Sequence, residues 1–153
     1  MRKPAYSLVE LVVAVAVLSM LASFIIPTYQ LILAQLKLNS AVTQVADFVR
    51  LTEQKTVTEQ LIYGVTFTTN ATTIPQFLYN TVTGAKTTQT TITLPSNIVI
   101  SSVNFSGNSD VRFSTSGAPN VSGNVVIRDI IRNRHRVVEV KPSGAIFANQ
   151  AEY

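Results

Sequence analysis

One carboxylate, Glu10, stands in an apolar run from Leu8 to Ile26. A charge at the centre of a bilayer costs about 3 kcal/mol on insertion scales, so a carboxylate kept in such a run marks a functional position. Buried, it must meet a positive partner or take up a proton. A second concentration of charge lies near the other end: Arg128, Arg132, Arg134, His135, Arg136 and Lys141, interrupted by Asp129 and Glu139. Over residues 125–141 five Lys and Arg stand against two acids, a local charge of +3. Arginine grips phosphate through a two-pronged fork. A phosphate-bearing ligand is the chemistry that Arg128, Arg132, Arg134, Arg136 and Lys141 offer. Few aromatics accompany them, so contact would be to phosphates and independent of base sequence. The competing reading is a solvated hairpin, with Arg132-Asn133-Arg134-His135-Arg136 as the polar tip between two apolar strands.

Other chemistries find little support. His135 is the single histidine and there is no cysteine, which argues against a metal centre. Gly84-Ala85-Lys86-Thr87 resembles the end of a phosphate loop but lacks the earlier glycine, and reads as a turn. No nucleophile–base pair or paired carboxylates stand out. The tyrosines and phenylalanines from Tyr63 to Phe113 fall in strand-like runs and read as core. The chain reads as a non-enzyme, and no cofactor is expected.

These residues must be positioned by a chain of 153 residues, enough for one domain and an anchor. It is 46% apolar and only 13% charged, against roughly 25% charged in typical soluble domains. The net charge is +4. Without Met1 to Ala5 it loses Arg2 and Lys3, leaving ten basic side chains against eight acidic, too little for a general polyanion binder. The run Leu8–Ile26 approaches the roughly 20 residues that span a bilayer. A cleaved signal peptide would have a shorter apolar region and a small-residue cleavage site after it. Arg2 and Lys3 before the span orient the N-terminus toward the cytoplasm, with the remainder outside.

Apolar residues then recur at helical spacing: Leu38, Val42, Val45 and Val49, with Ala41 and Phe48 beside them. This predicts one helix from about Ser7 to Glu59, roughly 80 Å long at 1.5 Å per residue. Its first half is apolar all round and its second half amphipathic. Pro27 falls inside and should kink or loosen it. From Leu61 short β-type runs follow: Ile62–Thr68, Thr73–Tyr79, Thr88–Leu94, Ile98–Phe105, Val111–Ser114, Asn124–Ile130, Val137–Lys141 and a short piece at Ala145–Phe147.

The N-terminal residues Ala5-Tyr6-Ser7-Leu8-Val9-Glu10-Leu11 resemble the prepilin leader and methylation motif of type IV pilins and type II secretion pseudopilins. Ala5 stands where the family usually has Gly, and Tyr6 where it usually has Phe. The resemblance implies cleavage between Ala5 and Tyr6 by a prepilin peptidase and N-methylation of Tyr6. Glu10 becomes the fifth mature residue, and in the family that Glu pairs with the N-terminal amine of a neighbouring subunit. Pro27 stands at the same offset as a family proline whose loosening lets the helix extend in the filament.

The C-terminal half is similar to the GspH/FimT group of minor pseudopilins and minor pilins. The matching stretches are Val111-Arg112-Phe113-Ser114-Thr115-Ser116-Gly117, Val125-Val126-Ile127 and Val137–Ile146, the last with a Ser143-Gly144 turn. The resemblance implies an α+β pilin fold, a long kinked transmembrane helix packed on an antiparallel sheet. The expected divisions are a leader at 1–5, a membrane and filament-core half at 6–27, an amphipathic half at 28–60 and a β domain at 61–153. The implied partners are other pilin or pseudopilin subunits, the prepilin peptidase, an inner-membrane assembly platform, and lipid before assembly. The β domain would lie outside the cytoplasmic membrane. The implied work is that of a minor filament subunit in type II secretion or a type IV pilus. Some FimT-like members are DNA receptors that use basic C-terminal residues, which makes DNA uptake through Arg128, Arg132, Arg134, Arg136 and Lys141 the alternative.

Overall fold

The computed structural model describes residues 7–149, so the leader and the expected cut between Ala5 and Tyr6 lie outside the described residues. Helix α1 runs from Leu8 to Glu59. Ser7 caps it, its Oγ accepting the Val9 N–H at 3.2 Å. Glu10, three residues after Ser7, has the spacing of a capping box and occupies the first turn, where negative charge suits the helix dipole. The helical conformation continues through Pro27, whose side chain lies outside the described part. The helix stops at Gln60, which turns left-handed at φ 56°.

The chain forms two compact units, one up to Leu36 and one from Lys37 onward. In the second, the predicted stripe is the buried face of α1: Leu38, Ala41, Val42, Val45, Phe48 and Val49. Two features were not foreseen. Ala46 joins the stripe, and beyond Val49 it continues in threonine, with Thr52 and Thr56 fully buried. Their hydroxyls donate to the carbonyls of Phe48 and Thr52 at 2.8 and 2.9 Å. As acceptors they take Gln76 Nε2 at 2.8 Å and the Tyr63 N–H at 3.3 Å. Every hydroxyl in this polar end of the core is thus paired, as burial demands.

Eight strands follow: β1 Tyr63–Thr66, β2 Thr73–Tyr79, β3 Lys86–Thr93, β4 Ile98–Asn104, β5 Asp110–Arg112, β6 Gly123–Asp129, β7 Arg134–Val140 and β8 Ile146–Asn149. They form two four-stranded sheets, β3-β2-β1-β5 (sheet A) and β4-β6-β7-β8 (sheet B). All strand pairings in both are antiparallel. The β1–β2 loop ties them together: Asn70 N–H donates to the Ile100 carbonyl at 2.8 Å, and Ile100 N–H donates to the Ala71 carbonyl at 3.2 Å. Phe67 and Phe105 stack in the core with centroids 5.7 Å apart.

Each predicted strand has a counterpart, but the hairpin of the basic cluster is displaced. Asp129 Oδ1 accepts the N–H groups of Ile131 and Arg132 at 2.9 and 3.4 Å. Asn133 takes a left-handed conformation at φ 52°. The turn therefore closes over Ile130–Asn133, and the ladder resumes at Arg134, paired with Asp129. Arg134, His135 and Arg136 are strand residues rather than the polar tip.

The two predicted glycine turns meet over the helix. Gly117 and Gly144 both have φ near +85°, at +86° and +85°. A Cβ on Gly144 would lie 3.0 Å from the Gly117 carbonyl oxygen and 3.1 Å from Glu53 Oε1. Burial beneath these turns raises the Glu53 carboxyl above the usual carboxylate range. Gly144→Ala should lower stability by about 1–2 kcal/mol, through a strained φ and a crowded Cβ, in thermal melts of the detergent-solubilised chain. Glu53 resists ionisation in the folded state, so its charged form subtracts stability as pH rises through its folded pKa. Glu53→Gln should therefore melt above wild type at pH 8, with the gap narrowing as pH falls toward 4. A gap independent of pH would contradict the assignment.

Candidate functional site

The first unit presents an apolar helix surface. Every described side chain from Leu8 to Ser23 is exposed, including Leu8 at 80% and Met20 at 70%. The surface does not end at Pro27: Tyr29, Leu31, Ile32, Leu33 and Leu36 are exposed as well. Ser19 and Ser23 fold their hydroxyls back onto the carbonyls of Val15 and Met20, at 2.8 and 2.7 Å, which hides their polarity. The helix is long and apolar enough to cross a membrane. A helix apolar on all sides needs lipid or other apolar helices around it. Glu10 is exposed, and no ion pair joins it to any of the described residues. A positive group brought from outside the described part would meet an unengaged carboxylate there.

The basic cluster does not form one patch. Along the β6–β7 ladder Ile127 faces Arg136, Arg128 faces His135, and Asp129 faces Arg134. Strand alternation puts Arg134 and Arg136 on one face of sheet B, and Arg128 and His135 on the other. Arg136 is 5% exposed and its Nε donates to Asn39 Oδ1 on α1 at 3.3 Å. It lies inside the fold, with almost no surface for a phosphate. Arg132 is half-buried in the turn. Lys141 follows β7, its Nζ 4.7 Å above the Phe147 ring. Among the described residues, no three His, Asp or Glu side chains converge as metal ligands.

The structure adds a constellation that the sequence did not suggest. Asp110 bridges Lys86 at 3.2 Å and Arg112 at 3.5 Å. The Arg112 guanidinium lies 4.4 Å from the Tyr79 ring centroid, beside an open cavity of about 320 Å³ that Ile62, Phe113 and Pro119 help to line. These residues come from the end of the α1–β1 connection, β2, β3, β5 and the loop after it, so no local spacing could have announced them.

The arrangement of a long N-terminal helix against antiparallel sheets can be compared with solved structures. The minor pseudopilin EpsH of the Vibrio cholerae type 2 secretion system is similar with a TM-score of 0.60 at 9% identity. The match covers 73% of this chain and 95% of EpsH. The type IV minor pilin FimU of Pseudomonas aeruginosa is similar with a TM-score of 0.61 at 9% identity, over 76% of this chain and 92% of FimU. This is the pilin fold. The sequence matches no family model and no curated protein, so the likeness is one of backbone rather than of residues.

Within the pilin fold, Arg136 and Arg132 should behave oppositely. Arg136→Ala removes a buried side chain and its bond to Asn39, and should lower stability by about 2 kcal/mol. Arg132→Ala should change it by less than about 0.5 kcal/mol. Parallel thermal melts of the two variants check this, and equal losses would refute the division of the cluster.

Proposed function

We propose that this chain is a structural, non-enzymatic subunit of a type IV-like filament, of the minor pilin or pseudopilin kind. The observation that carries the reading is the apolar surface of α1 on the N-terminal side of a compact β unit with the pilin fold. Such a segment suits lipid before assembly and a bundle of like helices afterwards. The resemblance at Ala5, Tyr6 and Glu10 supplies the route. A prepilin peptidase cuts after Ala5, Tyr6 is methylated, and an inner-membrane platform draws the subunit into the filament with its β unit outside the cytoplasm.

Glu10 then has a specific task. One carboxylate per subunit in an apolar bundle is costly alone and tolerable when paired with an amine. The freed amine of a neighbouring Tyr6 has the required charge. The loosening expected at Pro27 belongs to the same reading. Type II secretion and a type IV pilus are both compatible with it, and both are represented among the similar structures. The split of the basic cluster between two sheet faces, with Arg136 buried, favours the filament role over DNA capture.

Intact mass and N-terminal peptide mass of the membrane-extracted protein test the processing: the chain should begin at Tyr6 and carry one added methyl group. A chain still beginning at Met1 would overturn it. Glu10→Ala should remain in the membrane yet enter filaments about tenfold less, by quantitative blotting of sheared filaments or of crosslinked assemblies. Normal incorporation would remove the assembly role of Glu10.

A further inference from the structure

The β6–β7 turn pairs two exposed isoleucines with basic side chains. Ile130 is 52% exposed and Ile131 is 70% exposed. Half-buried Arg132 follows them directly, and half-buried Arg128 precedes them. The acid that closes β6 before the turn, Asp129, is 4% exposed and spends its Oδ1 on the N–H groups of Ile131 and Arg132. The turn is therefore a braced loop that is apolar at its tip and positive around it. Ile130 N–H also donates to the Asn97 carbonyl at 3.0 Å, which fixes the loop to the start of β4. The two isoleucines form an adjacent apolar pair at the tip, with basic side chains on both sides.

Position names the partner. Arg136 bonds Asn39, whereas Arg50 Nη2 donates to the carbonyl of Ile146, which pairs with Val140. From Arg50 back to Asn39 the helix covers about 16 Å, and from Val140 back to Arg136 the strand covers about 13 Å. The two run nearly alongside each other. The turn at Ile130–Asn133 thus lies at the end of the β unit where α1 enters it, near the level of exposed Lys37. Lys37 is the first charge after Glu10. The uncharged run Leu11–Leu36 is about 39 Å long as helix, whereas the hydrocarbon core is about 30 Å thick and the whole bilayer about 40–45 Å. With Glu10 in the inner headgroup layer, Lys37, about 40 Å further along the helix, stands in the outer one.

We infer that the Ile130-Ile131-Arg132 turn is a lipid contact, seated in the anionic headgroup layer of the membrane that holds the unassembled subunit. The isoleucines enter the acyl–headgroup boundary, and Arg132, Arg128 and Lys37 meet lipid phosphates. A weak contact suffices, because the anchoring helix confines the turn near the surface and makes its binding effectively intramolecular. The contact would hold the β unit down on the membrane, and it would have to be released on entry into a filament. The inference rests on the membrane-anchored reading above, but not on prepilin processing or on filament assembly.

The chain has neither Trp nor Cys, so a single introduced Trp is an unambiguous reporter. Full-length Ile131→Trp is reconstituted into phosphatidylcholine vesicles with and without phosphatidylglycerol. Val82→Trp, at a site 91% exposed in the β2–β3 turn, is the control. In anionic vesicles the Trp at position 131 should emit at shorter wavelength than the control and be quenched by headgroup-level brominated lipid. Adding Arg132→Gln should cut the lipid-engaged to free ratio about fivefold. Circular dichroism of each variant confirms that it is folded. Equal aqueous quenching of both reporters in both vesicle types would overturn the contact while leaving the anchor intact. Shielding that grows with protein density in neutral vesicles would overturn it in favour of a neighbouring subunit. A response to duplex DNA but not to anionic lipid would overturn it in favour of DNA. Extraction of the chain by alkaline carbonate would instead remove the membrane anchor itself, and the inference with it.

Discussion

One helix has to satisfy two different surroundings, and the rest of the molecule depends on how it changes between them. Up to Leu36 apolar side chains lie on every side of it, with Glu10 the one charge, and those described are almost all exposed. From Leu38 the apolar residues narrow to a stripe, and that stripe is buried. The change needs no break in the backbone, because α1 is helical throughout. It is made by side chains alone: Lys37, Gln44, Asp47 and Arg50 give the second unit faces that water can wet. A helix with one apolar stripe can be covered by sheets, whereas one apolar all round cannot be covered by a single small domain.

The sheets respond to that stripe. At the Leu38–Val49 end the contact is hydrocarbon packing. At the far end it becomes a paired polar seam of Thr52, Thr56, Gln76 and Tyr63. A buried hydroxyl left unpaired would cost about 1–3 kcal/mol, so this seam constrains the register of β1 and β2 against the helix more tightly than apolar packing could. Tyr63 adds to it, its hydroxyl donating to Glu59 at the last turn of α1. The Gly117 and Gly144 turns complete the cover by approaching Glu53 where any side chain would crowd it.

The same packing divides the charge that looks continuous along the chain. Five basic residues within 125–141 form one group only when read in line. The ladder sends alternate residues to opposite faces, and the helix takes Arg136 as a buried partner for Asn39. Arg132 is left in a turn where isoleucine and arginine stand side by side, and Lys141 is exposed beyond β7. Charge distribution in a strand is set by pleat and register, which are longer-ranged than composition.

Much of this molecule follows from local pattern. The extent of α1, its apolar and striped halves, the buried positions Leu38, Ala41, Val42, Val45, Phe48 and Val49, eight strand segments and two left-handed glycine turns all rest on periodicities of 3.6 and 2 and on turn chemistry. Those are properties of residues a few places apart. Glu10 stands out for the same reason, as a charge among apolar neighbours. The hairpin turns at Ile130–Asn133, ahead of the polar run Arg132–Arg136, because an Asp129 side-chain cap rather than hydrophobicity ends β6. The grouping of strands into two sheets, the threonine seam, the Asp110 pairs with Lys86 and Arg112, and the separation of Arg136 from Arg128 are tertiary decisions. Each depends on which distant segment lies opposite, and backbone pairing between strands is settled by the whole fold competing to bury its apolar faces, not by any stretch of it alone.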